Sequence, residues 1–210
     1  MSRTPRWVGL LALVILALIT LNTILTKPNG ATGVSVGARL PPFALPLVTG
    51  DLRGDANIAK RADEGANGNR PACAVRGLRI LNICELYEGG PLVLALFVDV
   101  GGCQRILDDM RALGPVFPGV RFAAVSIKGD RAALRKLVYH DGLSFPVGID
   151  EEGTLVGVYK VASCPQITLA YPGGVVQSRP LLVRPPLAQL RARVASLVAE
   201  SHARGWRGAS

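Results

Sequence analysis

Four cysteines, Cys73, Cys84, Cys103 and Cys164, are the residues of this 210-residue chain with the most chemistry to offer. A thiolate is the working nucleophile of sulfur exchange, and helix N-termini and nearby positive charge stabilise it. Cys103 stands where such a terminus is expected, after the apolar run Pro91–Val98 and the pair Gly101-Gly102, with Arg105 following. The glycines let the backbone turn tightly and present the sulfur, while Arg105 either adds positive charge or points to solvent. Two roles are open for Cys103: an attacking or peroxide-sensing thiol, or a semi-buried cysteine with no reaction to perform. Cys164 immediately precedes Pro165 at the start of a second apolar run, Ile167–Tyr171, where a small packed residue would also serve.

Cys73 and Cys84 flank the short stretch Arg76–Asn82 beside a polar region. They suit a small structural disulfide, which would restrain that loop by about 2–3 kcal/mol. The other possibility is that one of them resolves a sulfenic acid formed on Cys103. A metal site is not indicated: there is no Cys-x-x-Cys spacing, and the only histidines are His140 and His202. His140 is most simply a partner for the C-terminal dipole of a helix.

Alternating strands and helices must position these residues. Pro91–Val98 is a continuous β-rich apolar run, the pattern of a strand covered on both faces. Residues 103–114 carry Ile106, Leu107, Met110 and Leu113 at helical spacing, and Val120–Ser126 forms the next strand. Asp130 caps a helix with apolar positions Ala133, Leu134, Leu137 and Val138. Phe145–Ile149 and the turn Asp150–Gly153 lead into Leu155–Tyr159. Strand 166–171, the turn Pro172-Gly173-Gly174 and strand Val175–Ser178 make a hairpin. A closing helix over about 186–199 carries Leu187, Leu190, Val194, Leu197 and Val198. Together these predict an α/β fold, a mixed central sheet with helices on both faces.

Ahead of this domain, residues 7–26 run from Trp7 to Thr26 without a charge. Some twenty apolar residues at 1.5 Å rise span roughly 30 Å, the thickness of a bilayer's hydrocarbon core. Only Thr20, Asn22, Thr23 and Thr26 weaken its C-terminal end. Two readings are open, an uncleaved anchor and a cleaved signal peptide; the run is longer than a secretory h-region and ends in Lys27-Pro28-Asn29-Gly30 instead of an A-x-A-like site, which favours an uncleaved transmembrane helix. No cysteine near its end offers a lipoprotein attachment. Arg3 and Arg6 before the span, against Lys27 after it, place residues 1–6 in the cytoplasm and the C-terminal domain outside it. An extracytoplasmic location is compatible with disulfide chemistry.

The expected organisation is therefore a linker over 27–40, a domain over 41–200 with an insertion over about 50–90, and a basic tail over 201–210. Pro41–Leu47 is a proline-punctuated edge strand, and residues 50–72 form a polar surface insertion. The net charge of +9 is scattered, and aromatics are 5% of the chain. That distribution argues against a nucleic-acid partner and for a solvated surface or contact with anionic headgroups, the Arg204–Arg207 segment included.

The order of elements, with a cysteine after the first core strand and X-Pro before the hairpin, resembles the thioredoxin-like superfamily. It most resembles the redoxin branch, which includes thiol-specific antioxidant proteins and membrane-tethered extracytoplasmic thioredoxins. The stretches that carry the resemblance are Gly37–Pro46, the segment LVLALFVDVGGC ending at Cys103, Phe122–Ile127, Leu143–Val147 before Asp150, and Cys164–Leu169; it covers about residues 37–200. It implies that the residue before a cis-Pro165 lies against the redox cysteine. Cys103 would then be the nucleophile, shaped by Gly101, Gly102 and Arg105, and Cys164 its resolving partner. The implied partners are protein thiols and disulfides or peroxides, with no cofactor.

The site motif departs from the family pattern. Cys103 is followed by Gln104, Arg105 and Ile106, so Cys-x-x-Cys is absent. Val100 and Leu96 stand where the peroxiredoxin motif Pro-x-x-x-Thr-x-x-Cys has threonine and proline. The sequence-based expectation is thiol–disulfide exchange or thiol-based antioxidant activity, against a catalytically degenerate thioredoxin-fold binding module of the cell envelope.

Overall fold

A computed structural model of the chain describes Trp7 and residues 11–18, 32–54 and 70–208. The chain divides into two units, Met1–Ala31 and Thr32–Ser210. In the first, Trp7 and residues 11–18 are helical with exposed side chains. Among the described residues no helix is long and apolar enough to cross a membrane. The expected cytoplasmic residues 1–6 and the remainder of the span over 7–26 lie outside them, as does much of the polar insertion (55–69).

The second unit is built on a four-stranded sheet. Strand β1 (Ala44–Pro46) pairs antiparallel with β2 (Ile80–Asn82) in a separate two-stranded sheet, and helix α1 (Ile83–Glu88) follows. The sheet itself comprises β3 (Leu92–Phe97), β4 (Arg121–Ile127), β5 (Val147–Asp150) and β6 (Gln166–Ala170), in the spatial order β5-β4-β3-β6. β3, β4 and β5 are parallel, and β6 runs antiparallel to β3 with Leu96 opposite Gln166. Helices α2 (Ile106–Leu113), α3 (Arg131–His140), α4 (Thr154–Val158) and α5 (Leu187–Ala203) complete the unit.

β3 shows why the sequence has no polar alternation. Val93, Ala95 and Phe97 face one core with Ile106 and Met110 of α2, Leu134 and Val138 of α3, and Leu190, Val194 and Leu197 of α5. Leu92, Leu94 and Leu96 face the other core with Phe43, Leu45, Ile83, Leu155 and Tyr159. Both faces of the strand are covered, so every residue from Leu92 to Phe97 is buried. The expected mixed sheet with helices on both faces is the one observed.

Several local details differ from expectation. The helix after Cys103 starts as a 3-10 turn, Cys103–Arg105, and becomes α-helical only at Ile106. The second arm of the expected hairpin is not a strand; Val176 bridges to Ala170 while Val175 bridges to Arg39. Residues 174–176 are shared, because Leu40 N–H donates to Gly174, Gly37 N–H to Val176, and Val176 N–H back to Ala38. Residues 33–40, within the range expected as linker, are thus bonded into the domain. Helix α5 continues to Ala203, into the expected tail, and Arg204 lies over the Tyr171 ring at 4.0 Å. Beyond it, Trp206 closes over Gly119, where an added Cβ would meet the indole at 2.9 Å. The Asp130 cap is present, its carboxylate accepting the Ala133 N–H at 2.7 Å. His140, in the last turn of α3, contacts Asp141 at 2.8 Å.

Candidate active site

β3 delivers Cys103 to the carboxyl end of the parallel strands, the side on which open α/β sheets place their sites. After Val98 the chain turns through Gly101 (φ 60°) and Gly102 (φ 78°), both in the left-handed region that glycine occupies without steric cost. Cys103 N–H donates to Val100 O at 3.1 Å, and Arg105 N–H donates to Gly102 O at 3.2 Å, which closes the 3-10 turn. Arg105 is exposed, and its Nε donates back to the Gly102 carbonyl at 3.3 Å. The guanidinium is therefore folded over the turn. The Gln104 Oε1 beside Cys103 is buried and has no hydrogen-bond partner.

Cys164 arrives from the opposite direction. α4 ends at Val158, the chain turns through Lys160 (φ 48°), and Cys164-Pro165 is a cis peptide leading into β6. Pro165 is buried, whereas Cys103 and Cys164 are both half-buried. The two cysteines, 61 residues apart in sequence, form a disulfide with Cα atoms 5.7 Å apart. That separation lies within the ordinary range for a bridge. The Val98 N–H donates to the Cys164 sulfur at 3.3 Å.

Cys73 and Cys84 form a second disulfide, Cα–Cα 5.4 Å. It ties the 3-10 turn Ala72–Ala74 to the first turn of α1, and the Cys84 side chain is fully buried in the second core. The structure therefore pairs Cys73 with Cys84 and Cys103 with Cys164, and leaves no free cysteine.

Sequence reasoning did not single out Val98 or Gln166. Gln166 is fully buried, donating through Nε2 to Tyr159 O at 3.0 Å and accepting the Ala162 N–H on Oε1 at 3.4 Å. Its one signal was a lone amide in an otherwise apolar stretch directly after the site proline. Tyr159 is also fully buried, its hydroxyl donating to Pro41 O at 2.7 Å, and burial pushes its phenol well above the usual range. Asp150 has no exposure and accepts the N–H groups of Gly153, Thr154 and Leu155 at 3.0, 3.1 and 2.8 Å. That carboxylate starts α4, the helix from which the Cys164 loop departs.

No protein-family profile matches the chain, and no curated protein matches its sequence. Solved structures do match. A secreted Mycobacterium tuberculosis disulfide oxidoreductase homologous to E. coli DsbE aligns at 21% identity and TM-score 0.50, covering 57% of this chain and 90% of that one. A candidate thiol:disulfide interchange protein DsbE from Chlorobium tepidum aligns at 16% identity and TM-score 0.57, covering 80% and 98%. A thiol:disulfide interchange protein of the thioredoxin family, also from Chlorobium tepidum, aligns at 11% identity and TM-score 0.57, covering 79% and 99%. At these identities the likeness is one of fold: the described residues of the second unit adopt a mixed α/β, thioredoxin-like fold.

Proposed function

We propose that this protein is a membrane-anchored, extracytoplasmic thiol–disulfide oxidoreductase whose redox couple is Cys103 and Cys164. The observation that carries the reading is the bridge between a cysteine at a helix start and a cysteine before a cis-proline, at a Cα separation of 5.7 Å. In the oxidising direction a substrate thiolate attacks the Cys103 sulfur, the Cys103–Cys164 bond breaks, and Cys164 leaves as a thiolate that accepts the Val98 N–H. A second substrate thiolate then attacks the mixed disulfide and releases Cys103. The substrate dithiol becomes a disulfide, and its two electrons reside on the reduced cysteine pair. The reverse sequence reduces a substrate disulfide.

Exchange is favoured over peroxide reduction by the residues around Cys103. Val100, exposed where the peroxide-reducing motif has its threonine, offers no hydroxyl to orient a peroxide, and Leu96 replaces that motif's proline. The proposed partners are protein thiols and disulfides, in keeping with two of the structural neighbours, a disulfide oxidoreductase and a thiol:disulfide interchange protein. The proposed anchor is the uncharged run Trp7–Thr26, oriented by Arg3 and Arg6.

The test is alkylation and mass spectrometry of the full chain equilibrated in glutathione buffers of graded potential. Cys103 and Cys164 should interconvert between two alkylated thiols and one bridge, while Cys73–Cys84 stays closed at potentials that open the first pair. Cysteines 103 and 164 that remain fixed in one state across the series would defeat the enzyme reading and leave a binding module. Protease added to membrane vesicles of known sidedness tests the anchor and its orientation.

A further inference from the structure

Gln166 stands in β6, where every residue from Gln166 to Ala170 is buried, opposite Leu96 of β3. A primary amide in such a place is costly unless both its ends are bonded. Here both ends go to one short segment: Nε2 to the Tyr159 carbonyl and Oε1 to the Ala162 N–H. The side chain thus reaches back over Pro165 and grips, at two points, the loop that carries Cys164. The remaining turn residues are held less directly. Lys160 O accepts the Gly33 N–H at 3.1 Å, Val161 N–H donates to Val156 O at 2.9 Å, and the Ser163 hydroxyl is buried without a partner. Up to Val161 the segment is held by backbone bonds; between Val161 and the cis-proline the hydrogen bond that holds the backbone is the one from Ala162 to the Gln166 amide, while the sulfur itself is met from the other side by Val98.

We propose that Gln166 is a positioning residue for the redox couple: by clamping Tyr159 and Ala162 it sets the Cys164 sulfur within reach of Cys103 and thereby the ease with which the bridge closes. This rests on the exchange reading of the site. The closing step is protein dithiol plus glutathione disulfide giving protein disulfide plus two glutathione thiols. Two protons pass with the electrons, from the cysteine thiols to the glutathione thiols. The equilibrium constant of that step is the effective concentration of Cys164 toward Cys103, and a loosened loop lowers it.

The experiment measures this constant for the full chain in detergent micelles, with thermal stability recorded alongside. Gln166→Leu keeps the volume but removes both bonds; it should lower the constant about tenfold. Gln166→Glu supplies the discriminating readout. A neutral carboxylic acid can donate to Tyr159 O and accept from Ala162, whereas the carboxylate can only accept. Relative to wild type at each pH, Gln166→Glu should recover toward parity as pH falls and lose ground as pH rises. A folded Gln166→Leu with a constant within twofold of wild type overturns the proposal. So does a Gln166→Glu ratio that is flat with pH, and that arm decides the matter if Gln166→Leu does not fold. Failure of the wild-type chain to close the bridge defeats the exchange reading instead, so the two failures are distinguishable.

Discussion

The backbone N–H of Val98 is directed at the sulfur of Cys164 from 3.3 Å, although 66 positions separate the two residues. Val98 directly follows β3, and the same chain carries on through Gly101 and Gly102 to Cys103. The segment that brings in one cysteine therefore supplies a hydrogen-bond donor to the other. A donor is worth more to a thiolate than to a sulfur in a disulfide, since hydrogen bonds to charged groups are roughly twice as strong. The donor at Cys164 thus makes the two sulfurs of the bridge unequal.

That inequality predicts the direction of attack. Oxidised protein treated briefly with a labelled small thiol and quenched in acid should carry the label on Cys103 in preference to Cys164. One charge-assisted hydrogen bond corresponds to about tenfold or more. Peptide mapping reads the ratio directly. Cys164→Ser should accumulate the same Cys103 adduct, because nothing remains to expel it; an even split in the wild type would refute the assignment.

Gly101 and Gly102 should respond differently to alanine. Both have positive φ, costing an L-residue about 1–2 kcal/mol. A Cβ at Gly101 meets nothing within 4 Å, whereas one at Gly102 meets Arg105 Nε at 3.0 Å and disturbs the guanidinium folded over the turn. Urea unfolding should therefore rank Gly102→Ala as the more destabilising, and slower bridge closure should accompany it.

Asp150 should matter more to stability than an ordinary acid. Three N–H groups at the start of α4 converge on its buried carboxylate. Removing it leaves donors unpaired in a dry environment, at about 1–3 kcal/mol for each that water cannot reach. Asp150→Ala should lower the unfolding free energy by about 3 kcal/mol or more, and Asp150→Asn, which keeps one acceptor oxygen, by less. Denaturant midpoints would measure both.

How much of this was readable beforehand depended on how local each signal was. The apolar periods of β3, β4, α2, α3 and α5 carried their own evidence of burial, so the sheet and its covering helices followed. Asn82 and Glu85 form an N-x-x-E pattern that could have disclosed α1, since Asn82 Oδ1 accepts from Cys84 and Glu85. That signal was obscured by reading the region as a disulfide loop. The fate of Val175–Ser178 was not local at all. It depended on residues 37–40 arriving to share the hydrogen bonds. Likewise, no spacing rule relates Val98 to Cys164, or Gln166 to Tyr159; both contacts arise from the meeting of segments around the cis-proline.

The C-terminal helix carries a pH-dependent contribution of its own. Glu200 is held below its ordinary 4.5 by hydrogen bonds from Ser196, at 2.6 Å, and Tyr171. A lowered carboxyl stabilises the fold above its unfolded value, and the gain is lost as pH falls through the folded value. Tyr171 is raised above 10.0 by burial and by Glu200, so its contribution holds below pH 10 and is lost as pH rises through the folded value. Urea midpoints across pH should show Glu200→Gln flattening the acid limb below 4.5, and Tyr171→Phe flattening the alkaline limb.

The bond from the Gly33 N–H to the Lys160 carbonyl has a mechanical meaning. Gly33 also fits against Pro180 so closely that an added Cβ would lie 2.4 Å from that ring. Gly33, next to Thr32, is therefore held by the loop that carries Cys164 and by the Pro180 segment, and not by any strand of the four-stranded sheet. The N-terminal entry of the second unit and the loop of its sulfur couple are thus tied to one another directly, through that backbone hydrogen bond.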